Sequence, residues 1–175
     1  MLYLKYKPKK LNEIIGQKTA VQILTNIIIQ KRNIHGIILS GQFGCGKTLC
    51  ATLFAQEIND INVIEDAYNQ QDILIVDAAL NSSVNDMRPL MEQIIYAPLH
   101  LKYRIVIIAG THMLSKEAMD VLLLTLQAPP YNTIFMFTTT NLSKITKTLE
   151  SRCLTIHINK IDKQIKANKV AQLFF

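Results

Sequence analysis

Long apolar runs are absent from this sequence. The longest hold about six residues, such as 105–110, far short of the ~18 that a membrane span requires. The opening Met1-Leu2-Tyr3-Leu4-Lys5 carries too short an apolar segment for a secretory signal peptide. Cysteine is scarce: Cys45, Cys50 and Cys153 are the only three, and none stands in CxxC spacing. That excludes a disulfide framework and a zinc ribbon, and leaves free thiols in a reducing cytoplasm as the expectation. His35, His100, His112 and His157 are scattered, without metal-ligand spacing. No internal repeat is visible, which removes solenoid and propeller architectures. Charge is modest as well. Charged residues make up 18% of the chain, the net charge is +6, and only four of the nineteen basic residues are arginine. A balance of that size permits nucleic-acid contact but does not by itself argue for it.

The 175 residues amount to about one domain, and a chain of this size buries roughly 70% of its unfolded surface. Hydrophobic residues reach 49%, too many for a disordered chain. Strand and helix patterns alternate. Val21, Leu24, Ile27 and Ile28 give a helix over 19–32. Apolar runs at 36–39, 73–76, 105–108, 133–138 and 154–158 read as five short strands. Between them the pattern predicts helices over 48–57, over 84–95 (stopped by Pro98) and from the cap Ser115 to about 126 (ended by Pro129-Pro130). Strands that are apolar on both faces and separated by helices imply a covered parallel sheet, hence an α/β domain.

Gly41-Gln42-Phe43-Gly44-Cys45-Gly46-Lys47-Thr48 satisfies G-x-x-x-x-G-K-[ST] in full, with a strand before it and a helix after it. In such a loop the glycines let backbone N–H groups wrap phosphates, and the new helix points its positive end at them. Lys47 would reach the β and γ phosphates of a nucleotide and Thr48 would hold Mg²⁺. Cys45 occupies a position that the motif leaves free, and a passive role is expected for it. A nucleotide enzyme also needs an acidic group at a strand end to manage the metal and water. Ile73-Leu74-Ile75-Val76-Asp77 ends in such a residue, whereas Ile105-Val106-Ile107-Ile108-Ala109-Gly110 ends in none. Spacing alone does not choose between the two strands.

Short motifs then line up along nearly the whole chain. They are Lys5-Tyr6-Lys7-Pro8, Ile14-Ile15-Gly16-Gln17, the phosphate loop, Asp77-Ala78-Ala79, Tyr96-Ala97-Pro98, His112-Met113-Leu114-Ser115, 123–130, Thr138-Thr139-Thr140-Asn141 and Ser151-Arg152-Cys153. In this order they resemble the AAA+ module of bacterial DNA polymerase III clamp-loader subunits, the gamma/tau and delta-prime group, with K-Y-R-P, V-V-G-Q, D-A-A, Y-A-P, H-M-L-S, A-T-T-D and S-R-C as the counterparts. The resemblance implies a P-loop NTPase fold of the RecA-like kind: a three-layer parallel sheet with helices on both faces. It implies ATP and Mg²⁺ as cofactors. Other clamp-loader AAA+ subunits become the expected partners, with a sliding clamp and primed DNA engaged indirectly, in the cytoplasm and at no membrane. Residues 1–159 would form the AAA+ core, and 160–175 the start of a lid helix, with the rest of the lid and the oligomerising collar absent.

The resemblance also assigns roles. Arg152 would act in trans as a finger on a neighbour's ATP, an interaction worth ~10³–10⁵ in rate in other systems. Thr139 and Thr140 fall where the family senses the γ-phosphate. Tyr6 and Pro8 would border the adenine, with Gln17 nearby. Lys160, Lys163, Lys166 and Lys169 recur every three residues on one helix face and read as a solvated face; any phosphate contacts there would be few and strongly salt-dependent.

The departures are informative. The strand before His112 ends in D-E in the family and in Ile108-Ala109-Gly110-Thr111 here, so both the metal-holding Asp and the water-activating Glu are missing. Loss of a general base alone typically costs ~10²–10⁴ in rate. The expectation is ATP binding with weak or absent hydrolysis. Two alternatives stand beside it: a small active ATPase that recruits Asp77 as its metal residue, and a decayed remnant without activity. The four-cysteine zinc module of the gamma/tau group is missing from 49–72, and an intact phosphate loop is unlike an ordinary delta-prime subunit, so the chain sits between the two types.

Overall fold

The structure, a computed structural model, describes residues 7–61 and 71–161. Five strands and five α-helices alternate along them: α1 (Lys18–Gln30), β1 (Gly36–Ser40), α2 (Lys47–Ile58), β2 (Ile73–Asp77), α3 (Val84–Gln93), β3 (Arg104–Ala109), α4 (Lys116–Gln127), β4 (Thr133–Thr139), α5 (Lys147–Ser151) and β5 (Leu154–His157). Short 3₁₀ turns lie at Leu11–Glu13, Thr111–Met113 and Leu142–Lys144. The lid helix expected from residue 160 falls, from 162 onward, outside the described residues, as do Lys163, Lys166, Lys169 and Tyr6.

The strands pair in the order β2-β3-β4-β1-β5, and every pair is parallel. Alternation along each strand divides the core in two. Ile37 and Leu39 of β1, Ile105 and Ile107 of β3, and Ile134 and Met136 of β4 pack with α1 and α2. Ile38, Val106, Ile108, Phe135 and Phe137 point the other way, against α3, α4 and α5. β1 and β4 are buried along their whole length, which explains why they read as continuous apolar runs. This is the three-layer arrangement expected from the sequence. Helix α2 is unusually enclosed, with eight of its twelve residues buried. Among the described residues no helix is long and apolar enough to cross a membrane.

Helix ends follow local chemistry. Ser115 Oγ accepts from the Ala118 N–H at 3.1 Å and starts α4, as the sequence predicts. Ser83 and Asp86 form a reciprocal capping box at the start of α3. The end of α3 differs from expectation. The helix stops at Gln93, two residues early, and Pro98 is not the cause. The Arg104 guanidinium donates to the carbonyls of Gln93 (3.4 Å), Tyr96 (2.7 Å) and Ala97 (3.3 Å) and so holds the segment that leaves the helix.

Arg104 is itself held by Asp72 at 3.0 Å, with both side chains buried. Asp72 also accepts backbone N–H groups from Leu99, His100 and Leu101 at 2.7–3.0 Å. Burial alone would raise the Asp72 pKa, but those N–H donors and Arg104 outweigh it and hold the carboxyl below its usual range. One ion pair thereby fixes the starts of β2 and β3 and the loop between α3 and β3.

Removing one partner of such a buried pair typically costs 3–5 kcal/mol, an order-of-magnitude figure. Arg104→Ala is therefore expected to lower the unfolding free energy by about that amount in urea melts. Because the folded pKa of Asp72 is depressed, its contribution is present above the unfolded value of ~3.9 and disappears as pH falls through the folded value. Wild type should lose stability on acidification in that window. An unchanged urea midpoint for Arg104→Ala would contradict this account of the clasp.

Candidate functional site

The site forms at the C-terminal edge of the sheet, where β1 runs into the phosphate loop and α2. Gly41 begins the loop, and its N–H donates to the Thr139 carbonyl at 3.1 Å. A side chain there would collide with β5's continuation, since a Cβ on Gly41 would lie 2.2 Å from the Ile158 carbonyl oxygen. Gly46 has φ +93° and opens α2 in the left-handed region, which side chains rarely adopt. Lys47, only 9% exposed, turns its ammonium back into the loop. Its Nζ donates to the carbonyls of Gly41 (2.9 Å) and Gln42 (2.8 Å) and lies 3.8 Å from Cys45 Sγ. Thr48 is exposed in the first turn of α2. Gln42 and Gly44 are exposed too, and Phe43 projects at 95% exposure. Cys45 is buried beneath the loop. The loop's curl, its lysine and the uncapped start of α2 fit a phosphate chain.

The loop is braced from the far side. Ile158 N–H donates to Ser40 at 2.7 Å. Gln17, buried, takes both backbone groups of Asn159: its Nε2 donates to the carbonyl at 2.5 Å and its Oε1 accepts the N–H at 3.0 Å. Its amide thus clamps the segment after β5 rather than standing open to a base. Pro8 is half-buried in the segment ahead of the first 3₁₀ turn, and Tyr6 lies outside the described residues.

The other expected residues divide sharply. Thr139 is fully buried; its Oγ1 donates to the Asn141 carbonyl (3.0 Å) and accepts the Asn141 N–H (3.1 Å). Thr140 is exposed and lies 3.1 Å from His112 Nε2. His112 was assigned no role by sequence, yet it sits at this edge with a buried, unpartnered Nδ1. Its pKa is pushed below the usual imidazole value by burial first, then by the charges of Lys144 and Lys47.

Asp77 stands apart. It ends β2, the edge strand, opposite Ala109 in register. Two strands separate β2 from β1, so at ~4.8 Å per strand Asp77 is about 14 Å across the sheet from the phosphate-loop strand. Its carboxylate accepts the Ala79 N–H at 2.9 Å and closes a turn. β3, by contrast, is separated from β1 by β4 alone. It ends in Ala109 and then in Gly110 at φ +70°. The Gly110 N–H donates to Thr138 Oγ1 at 3.2 Å. Thr138, buried, is a residue that sequence reasoning passed over; a third threonine in place of the alanine of A-T-T-D was the available signal.

A magnesium ion favours oxygen ligands that include one or two carboxylates. The described residues at the ends of β1, β3, β4 and β5 supply none, and of the expected metal set only the Thr48 hydroxyl lies beside the loop. Among the described residues no three His, Cys, Asp or Glu side chains converge on a metal-sized site. The residues fit a nucleotide's phosphates; they do not fit the metal that the fold type implies.

Arg152 follows α5 and immediately precedes Cys153 and β5. Leu154 pairs with Ile37 near the start of β1, and Cys153 Sγ abuts Gly36. Arg152 is therefore at the sheet edge opposite the loop, about 16 Å away along a five-residue strand at ~3.3 Å per residue. It is exposed, and its side chain has no hydrogen bond or ion pair with a described residue. Burial raises the thiols of Cys50 and Cys153 to about 12, with the Coulombic effect of Cys45 adding at Cys50, so neither is a ready nucleophile.

The sequence comparisons point to DNA polymerase III subunits. The family model described as DNA polymerase III, delta subunit, matches residues 16–162. DNA polymerase III subunit gamma/tau of Mycoplasma pneumoniae is 32% identical over 185 aligned residues, covering 99% of this chain and 27% of the relative. DNA polymerase III subunit tau of Bacillus subtilis is 32% identical, covering 93% and 31% respectively. The chain thus spans about a third or less of the length of these two relatives. Among solved structures, a DNA polymerase III gamma subunit-related protein of Thermotoga maritima superposes with TM-score 0.69 at 18% identity, over 83% of this chain and 47% of that one. The RuvB Holliday junction branch migration motor of the same organism gives 0.68 at 20% identity, over 97% and 55%. These structural likenesses establish the P-loop AAA+ fold.

Proposed function

The chain belongs to the DNA polymerase III subunit family that matches it over residues 16–162, and from this premise we propose that it is a clamp-loader-type subunit that binds ATP and hydrolyses it weakly or not at all. One observation carries the reading: a complete phosphate loop on β1 combined with a β3 that ends in Ala109-Gly110 instead of a carboxylate pair. The loop supplies what holding phosphates requires. The end of β3 lacks what positioning a metal and activating a water would require. The strand order argues against rescue by Asp77.

The partners on this reading are other AAA+ subunits of a replication complex in the cytoplasm, with a sliding clamp and primed DNA met through that complex. Arg152 is too far from its own phosphate loop to serve it, and its exposure without a partner among the described residues suits a finger offered to a neighbour. Thr139 and Thr140 line the edge where a γ-phosphate would lie. Thr139 would act through the Asn141 backbone that it holds, and Thr140 through its hydroxyl beside His112.

Equilibrium binding of ATP tests the first half. Wild type is expected to bind, and Lys47→Ala to lose the affinity by about a hundredfold or more, as when a buried charge partner worth ~3 kcal/mol is removed. Failure of both proteins to bind would favour a decayed remnant. For the second half, Arg152→Ala should reduce phosphate release by a mixed assembly with a hydrolysing relative by about a thousandfold, the low end of finger contributions. An unaltered rate in that assembly would remove Arg152 from the proposal.

A further inference from the structure

We propose that this chain holds a nucleoside triphosphate without a magnesium ion, the positive charge being supplied by Lys47 and Lys144 at the rim formed by the phosphate loop and the turn after β4. The inference deepens the nucleotide-binding reading and rests on it.

Three features of the edge converge. The end of β3 is built against a carboxylate. Ala109 carries no ligand, and Gly110 turns away at φ +70°, a conformation that a glutamate adopts only under strain. The threonine hydroxyls at this edge are tied to neighbours and carry no negative charge to set against a divalent ion: Thr138 accepts the Gly110 N–H, Thr139 is bonded to Asn141, and Thr111 Oγ1 donates to the Ile108 carbonyl at 3.1 Å. A near-octahedral ion at ~2.0–2.1 Å from its ligands would have Thr48 as its one protein anchor beside the loop.

Cations gather at the same edge. Lys47 lies within the loop, and Lys144 ends the 3₁₀ turn that Asn141 caps through its bond from the Ser143 N–H (3.1 Å). Both ammonium groups act on the imidazole of His112, which is bonded to Thr140. Lys144 is exposed and has no ion-pair partner among the described residues. Among the described residues no carboxylate stands at this rim to hold a divalent ion against the phosphates, whereas two ammonium groups can meet phosphate oxygens directly. A triphosphate approaching this edge meets lysine where ordinary phosphate-loop sites present a metal.

The test is calorimetric titration of the purified chain with ATP, once in excess magnesium and once in excess EDTA. The expected result is a pair of dissociation constants within about threefold of each other, well under the tenfold that corresponds to ~1.4 kcal/mol. Lys144→Ala, an exposed substitution that should not disturb folding, is expected to weaken binding in EDTA by about fivefold or more, roughly 1 kcal/mol. Binding that is tenfold or more weaker in EDTA than in magnesium would overturn the inference while leaving the nucleotide reading intact. Binding in EDTA that Lys144→Ala does not alter would remove the lysine pair as its basis. Absence of binding in both buffers would overturn the inference and the nucleotide reading together.

Discussion

Strand order is the constraint on which the rest depends. In a parallel sheet each strand fixes its neighbours at ~4.8 Å, so the order β2-β3-β4-β1-β5 decides which strand ends can share one ligand. β4 lies between β1 and β3, and the rim above these three strands collects Lys47, Thr138, Thr139, Thr140 and the Gly110 turn. β2 is one strand further out and takes Asp77 with it. Among the described residues the one acid that ends a strand is thereby kept away from the loop by geometry, although its sequence context resembles that of a metal-binding residue.

The loop's shape comes from packing that lies far away in sequence. Gly41 can approach the Ile158 carbonyl because it has no side chain, and Gln17 holds Asn159 across 142 residues. These contacts fix β5 against β1, and β5 in turn forms one wall of the loop. At the other end of the sheet the Asp72–Arg104 clasp does comparable work, setting where α3 stops and where β2 and β3 begin. The chemistry at the rim therefore rests in part on polar contacts between residues far apart in the chain.

That separation explains what could be read from the sequence. The phosphate loop is a local pattern: eight consecutive residues between a strand and a helix, and it folds as read. The five strands were legible because buried parallel strands are continuous apolar runs, and the Ser115 cap because capping acts within one turn. The choice between Asp77 and the end of β3 was not legible from spacing alone and came from the resemblance, since the distance of a strand end from the loop is set only when the sheet is assembled. The resemblance puts Gln17 near the base; what no local period could show is that its amide closes on the segment after β5. His112 drew no role, because its setting comes from Thr140, Lys144 and Lys47 on three separate elements. The end of α3 was misjudged by two residues because Pro98 was a local signal, whereas the donor that holds the departing segment, Arg104, lies beyond it.

On the proposed function, the site is complete for holding phosphates and incomplete for cleaving them. The most direct check is a single-turnover experiment in which the purified chain, in excess over ATP labelled at the γ-phosphate, is sampled over hours in magnesium. The account predicts that bound nucleotide is recovered as ATP, with phosphate released no faster than from the Lys47→Ala protein. Conversion of the bound ATP to ADP at a rate abolished by Lys47→Ala would contradict it, and would mean that a group other than a β3 carboxylate activates water at this edge.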